Sequence, residues 1–113
     1  MRHRVSGLLV LFAAAVPAAY AQSDLNETQL HGRQLFAQSC GICHLRPSLG
    51  VKTYGPMLDK AAAGGNDDVM RAFIQNGSER MPAFKHTLKP AEVDAIIAYL
   101  RTVPEPGPKG EAR

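Results

Sequence analysis

The sequence predicts an all-α fold, and two observations support this. Three segments carry apolar residues at helical spacing, and no segment of useful length alternates apolar and polar residues as a half-buried strand does. The chain has 113 residues, no tryptophan and only two cysteines. We therefore expect one small domain whose side chains alone supply a modest core.

The first helix is predicted from Glu27 to Ser39. Asn26 is suited to its N-cap position, and Leu35 and Phe36 lie on an apolar face that leads into the cysteines. Gly32 lies inside this helix, where glycine costs about 1 kcal/mol relative to alanine. Its presence therefore indicates a packing requirement.

Two further helices are predicted later in the chain. One begins near Asn66, with Asp67 and Asp68 in its first turn, and ends before Gly77. The other begins at Pro90, because proline suits the first position of a helix. Their apolar stripes are formed by Val69, Met70, Phe73 and Ile74, and by Val93, Ile96, Ile97 and Leu100. Loops rich in glycine and proline connect the helices, with one short turn expected at residues 58–63.

The two ends of the chain differ from this central domain. Residues 1–21 have a basic start, an apolar run and a small-x-small site, which is the pattern of a cleaved secretory signal. The apolar run is shorter than the roughly 20 residues of a spanning helix, so no stable membrane insertion is expected after cleavage. Residues 22–103 would then form the exported domain, and residues 104–113, rich in proline and glycine, a disordered tail.

The charge of the chain excludes one class of partner. The formal net charge is +3, and loss of Arg2 and Arg4 with the signal reduces it to +1. No basic run remains in the mature sequence. Nucleic acid is therefore not expected as a partner.

The segment Cys40-Gly41-Ile42-Cys43-His44 has the C-x-x-C-H pattern of covalent haem attachment. Each thiol can form a thioether with one vinyl group of a porphyrin, and the adjacent histidine is a strong axial ligand of iron. A redox dithiol and half of a zinc site are the alternatives. No second C-x-x-C is present, and no βαβ pattern surrounds this one. The motif therefore favours one covalently attached haem c with its iron.

Together with the helical pattern and a late methionine, this motif resembles the class I cytochromes c, the small single-haem electron carriers. The likeness extends over about residues 27–103. It implies three to four helices wrapped around one covalently bound haem. Gly32 and Phe36 match the family's first helix, where the glycine lets the last helix cross closely and Tyr99 would pack at the crossing.

The same resemblance implies how the axial histidine is held. Gly55 and Pro56 follow the motif at the family's usual distance, and the Pro56 carbonyl would accept a hydrogen bond from His44 Nδ1. Such a bond fixes the orientation of the ring and leaves Nε2 for iron.

Met81 is the predicted sixth ligand, in a Met-Pro-Ala-Phe segment that resembles the family's ligand loop. Met70 lies on an apolar stripe and is explained as core, and Met57 follows Pro56 on the histidine side. Met81 has no helical stripe to explain it. His86 is the alternative ligand, and a second histidine would give a lower potential than a thioether.

Three side chains are candidates to bind the haem propionates, because buried carboxylates need donors. They are Arg46, Lys52 and Tyr54.

With both axial positions filled, no coordination site is open to a substrate, so one-electron transfer is expected and enzymatic activity is not. The predicted function is a periplasmic carrier between a dehydrogenase and a terminal oxidase or another cytochrome, as a monomer or as a subunit of a complex. Two alternatives stay open: a dedicated subunit of a dehydrogenase complex, and a haem sensor or catalyst with a labile sixth ligand. Near-neutral charge predicts weak electrostatic steering of the redox partners.

Overall fold

The computed structural model describes residues 24–45 and 52–106. The predicted signal peptide, Arg46 and residues 107–113 of the predicted tail lie outside the described residues. Within the described ranges the chain forms four α-helices, one 3₁₀ turn and no strand, which confirms the all-α prediction. The helices are α1 (Glu27–Ser39), α2 (Gly41–His44), α3 (Asp67–Asn76) and α4 (Pro90–Leu100), and the 3₁₀ turn is Ala62–Gly65. None of the helices in these ranges has the length and apolar character needed to cross a membrane.

Side chains and glycine define the helix ends as predicted. The Asn26 side chain accepts a hydrogen bond from the Gln29 backbone N–H (2.9 Å), and the Gln29 side chain accepts one from the Asn26 N–H (3.0 Å). At α3, Asn66 Oδ1 accepts bonds from two N–H groups of the first turn. Gly77 ends α3 with φ of 69°, in the region that glycine adopts most easily.

The start of α4 is stabilised by a residue inside the helix instead of by an N-cap side chain. Pro90 occupies the first helical position, and the residue before it is Lys89, whose side chain is a poor cap. The Glu92 carboxylate accepts a hydrogen bond of 2.7 Å from the Lys89 N–H. This bond satisfies a backbone donor at the helix start that lacks an intrahelical partner.

The core is centred on the crossing of α1 and α4. A Cβ atom on Gly32 would lie 1.9 Å from the Ala95 carbonyl oxygen, so the two backbones approach closely because this residue is glycine. Phe36 and Tyr99 pack beside the crossing, with ring centroids 5.8 Å apart. The predicted close crossing and the place of Tyr99 are thus both observed.

The short turn lies a few residues later than expected, at residues 62–65 instead of 58–63. Ala63, Gly64 and Gly65 have φ of 56°, 65° and 73°, so three successive residues have positive φ. Only glycine does so without strain, and the two glycines after Ala63 allow the chain to turn sharply into the extended N-cap of α3.

Arg101, directly after α4, ties this turn to the helices. Its Nε donates to Asp67 Oδ1 (2.7 Å), and its Nη1 donates to the carbonyls of Lys60 (2.7 Å) and Ala62 (3.0 Å). One side chain therefore joins the segment at residues 60–62 to α3 and α4.

Candidate cofactor site

A cavity of about 420 Å³ lies between the helices and the loops that follow α2 and α3. This volume is within the range of small-molecule and cofactor sites. Its walls come from all four helices and are mainly apolar, including Phe36, Met70, Ile74, Ile96 and Leu100. The site therefore suits a large apolar group better than a small polar metabolite.

The helical turn α2 places the motif residues on one side of this cavity. The N–H groups of Cys43 and His44 both donate to the Cys40 carbonyl, at 3.1 and 3.0 Å. Because residues three and four apart share a face of a helix, Cys40, Cys43 and His44 all line the cavity. The spacing of the motif therefore places its two thiols and its imidazole on the same side of one helical turn.

The His44 ring is held by the loop at Gly55 and Pro56. His44 is 8% exposed, and the distance from its Nδ1 to the Pro56 carbonyl oxygen is 2.7 Å. The Gly55 N–H donates to the Cys43 carbonyl (2.8 Å), and a Cβ atom on Gly55 would lie 2.7 Å from His44 Cε1. Since a carbonyl can only accept, Nδ1 carries the proton, and Nε2 is the ring nitrogen left to bind a metal.

The environment of Cys40 opposes the alternative of a reactive dithiol. Burial, and secondarily the neighbouring Cys43, raise the pKa of the unmodified Cys40 thiol from 9.0 to about 11. Redox-active cysteines depend on a lowered pKa and a stabilised thiolate. At neutral pH this thiol is protonated, so its surroundings do not favour thiolate redox chemistry.

Met81 reaches the same cavity from the loop between α3 and α4. The Ser78 N–H donates to the Met81 carbonyl (2.8 Å), and the Phe84 N–H donates to the Ile74 carbonyl at the end of α3 (3.0 Å). A Cβ atom on Gly77 would lie 2.3 Å from the Met81 carbonyl oxygen. The loop is therefore tightly folded against α3, and partly buried Met81 lines the cavity.

The other candidate ligands lie in different surroundings. Met70 is buried on α3, as a core residue would be, although it also lines the cavity. Met57 is 47% exposed, and His86 is exposed in a turn. Neither Met57 nor His86 is part of the cavity lining.

The three propionate candidates differ in position. Tyr54 lines the cavity and is 58% exposed, whereas Lys52 is exposed and the lining does not include it. Arg46 lies outside the described residues.

The sequence reasoning missed Arg80, which also lines the cavity. Its guanidinium carbon lies 4.8 Å from the centroid of the Tyr54 ring, and its Nη2 donates to the Tyr54 carbonyl oxygen (3.3 Å). The signal available in the sequence was a cation directly before the predicted ligand Met81.

Comparisons with known proteins agree with this geometry. Residues 27–100 match a family model described as cytochrome c oxidase, cbb3-type, subunit III. A cytochrome c6 of Nostoc sp. (strain PCC 7120) is 26% identical over 101 residues, covering 86% of this chain and 90% of that protein. A cytochrome c6 of Synechocystis sp. (strain PCC 6803) is 32% identical over 84 residues, covering 68% and 67%. Among solved structures, the c-type cytochrome SorU from Sinorhizobium meliloti has a TM-score of 0.52 and 28% identity, covering 67% of this chain and 90% of that one.

Proposed function

Since this chain belongs to the class I cytochrome c family, with its covalently bound haem c, we propose that it is a periplasmic electron carrier with iron held by His44 and Met81. Cys40 and Cys43 are the attachment residues in this proposal. They are the only two cysteines in the chain, so one haem is attached.

The observation that carries the proposal is the convergence of these four side chains on one apolar cavity. Cys40, Cys43 and His44 come from a single helical turn, and Met81 comes from a separate loop. An imidazole nitrogen and a thioether sulfur are the axial pair typical of cytochromes c. The residues present therefore fit the group that the family implies.

Bound in this way, a haem supplies reversible one-electron chemistry between ferrous and ferric iron. The residues of this chain hold and shield it. The Pro56 carbonyl fixes the His44 ring, the tight loop after Gly77 limits movement of Met81, and the apolar walls exclude water. With two protein ligands assigned to the iron, no position is left for a substrate, and the protein acts as a carrier.

For the partners, we propose a dehydrogenase as donor and a terminal oxidase or another cytochrome as acceptor. An oxidase acceptor is compatible with the family description, which names an oxidase subunit. The charge of +1 that remains without Arg2 and Arg4 gives little long-range steering. The rate of electron transfer should therefore depend only weakly on ionic strength.

The test of the axial assignment is Met81→Ala compared with Met57→Ala in the haem-loaded protein. Loss of Met81 should remove the weak sulfur-to-iron absorption band at the red end of the ferric spectrum and lower the potential, because the thioether raises it. Met57→Ala serves as the control, since Met57 lies outside the cavity lining. A band that survives Met81→Ala would assign the sixth position to another residue.

The reduced wild-type protein gives a second check. Slow binding of carbon monoxide at neutral pH is expected of an iron with two protein ligands. Rapid binding would instead favour the sensor or catalyst with a labile ligand.

A further inference from the structure

We propose that Arg80 is a positioning residue: through Tyr54 it joins the loop that carries Met81 to the loop that holds His44, and it opposes opening on the Met81 side. This inference rests on the proposed function, because it takes Met81 as the sixth ligand.

The contact between Arg80 and Tyr54 has two components. The guanidinium lies over the Tyr54 ring at 4.8 Å from its centroid, within the distance of a cation–π interaction. The same side chain donates a hydrogen bond to the Tyr54 carbonyl oxygen at 3.3 Å. The two residues are 26 positions apart, so the contact connects separate parts of the chain.

One end of this contact is next to the proposed axial ligand Met81, and the other is two residues from Pro56, which holds the His44 ring. Tyr54 precedes Gly55 and Pro56, and the Pro56 carbonyl accepts the hydrogen bond from His44. Arg80 directly precedes Met81. The loop that presents Met81 is therefore joined to the loop that holds the His44 ring.

The Met81 loop has a different kind of support on its other side. There the backbone N–H groups of Phe84 and Lys85 donate to the carbonyls of Ile74 and Gln75, at 3.0 and 3.2 Å. These bonds hold the loop to the end of α3, and neither of them connects it to the loop at Tyr54. Among the described residues, the polar contact that spans these two loops is the one made by Arg80.

The expected change in the opening equilibrium of the Met81 loop follows from the strength of a cation–π contact. A cation–π contact at an exposed site changes a two-state equilibrium about threefold. Carbon monoxide reaches the iron of the reduced protein when Met81 moves away, so its binding rate reports the open population. In Arg80→Ala we expect the rate to rise about threefold, while the sulfur-to-iron band of the ferric protein is retained.

A matched control separates the contact from the loss of charge. Lys85→Ala removes one positive charge from the same loop, and Lys85 is exposed. We expect Lys85→Ala to bind carbon monoxide as the wild type does. Tyr54→Leu removes the ring from the other end of the contact.

The combination of Arg80→Ala with Tyr54→Leu completes the test. Because both changes break one contact, the double variant should bind carbon monoxide about as fast as Arg80→Ala alone. A wild-type rate in Arg80→Ala, an equal rise in Lys85→Ala, or rises that multiply in the double variant would each overturn the inference. Persistence of the sulfur-to-iron band in Met81→Ala would instead overturn the axial assignment, so the two failures are distinguishable.

Discussion

The crossing of α1 and α4 and the cofactor cavity are built on opposite principles. At the crossing, polypeptide packs on polypeptide so closely that one hydrogen atom, the side chain of Gly32, is all that fits against Ala95. Around the cavity, apolar side chains line a space of about 420 Å³. The comparison teaches that backbone and side-chain packing completes the core at the crossing, whereas on the cavity side the same core is shaped to accept the haem.

The largest effect is expected from removing the attachment sites. In the variant with both Cys40→Ala and Cys43→Ala, no haem should remain after acid–acetone extraction, and cooperative thermal unfolding by circular dichroism should be lost. The physical reason is that the cavity walls are apolar and need the haem surface to bury against. Retention of covalent haem, or an unchanged unfolding transition, would contradict this division of the core.

The next largest effect is expected at the crossing itself. In Gly32→Ala the added methyl would lie 1.9 Å from the Ala95 carbonyl oxygen, so α4 must shift. Overpacking against backbone should cost about 3 kcal/mol in the free energy of unfolding of the haem-loaded protein, measured by chemical denaturation.

The matched control for Gly32→Ala is Gly41→Ala, in α2 beside the cavity. There the nearest atom to an added Cβ is the end of the flexible Leu45 side chain, at 3.0 Å. The gain in helix propensity offsets that contact, so the change should stay within about 1 kcal/mol. Equal losses in the two variants would show that the crossing is no tighter than the cavity side.

Features that depend on neighbouring residues could be predicted from the sequence. The starts of α1 and α3 were predictable because Asn26 and Asn66 act on the backbone a few residues away, and the helical cores follow from local periodicity. The close crossing at Gly32 was predictable from the family resemblance, which gave a costly glycine its reason. The fold class and the cofactor thus follow from local patterns and from one short motif.

Features that depend on distant or very short elements were not predictable. Helix α2 has four residues, too few for a periodic pattern. The turn at Ala63 depends on a left-handed residue that no composition rule indicates. The partners of Arg80 and Arg101 are separated from them by 26 to 41 residues. Such pairings are decided by how the helices pack, which one sequence alone does not give.

The smallest effect is expected at Arg101, which binds the carbonyls of Lys60 and of Ala62, a residue of the cavity lining, and so joins this segment to the helices. Its side chain is 21% exposed and makes three hydrogen bonds, so Arg101→Gln should cost about 2 kcal/mol in the free energy of unfolding.

Arg71 is the matched control, because it pairs with Asp94 at the surface, where the side chains are 35% and 57% exposed. Arg71→Gln should cost about 0.5 kcal/mol and less at high salt, since exposed ion pairs are weak and screened. Chemical denaturation of both haem-loaded variants at low and high salt measures the difference. If the two losses were equal, Arg101 would be an ordinary surface ion pair, and the cavity wall would be held by the apolar contacts of the turn instead.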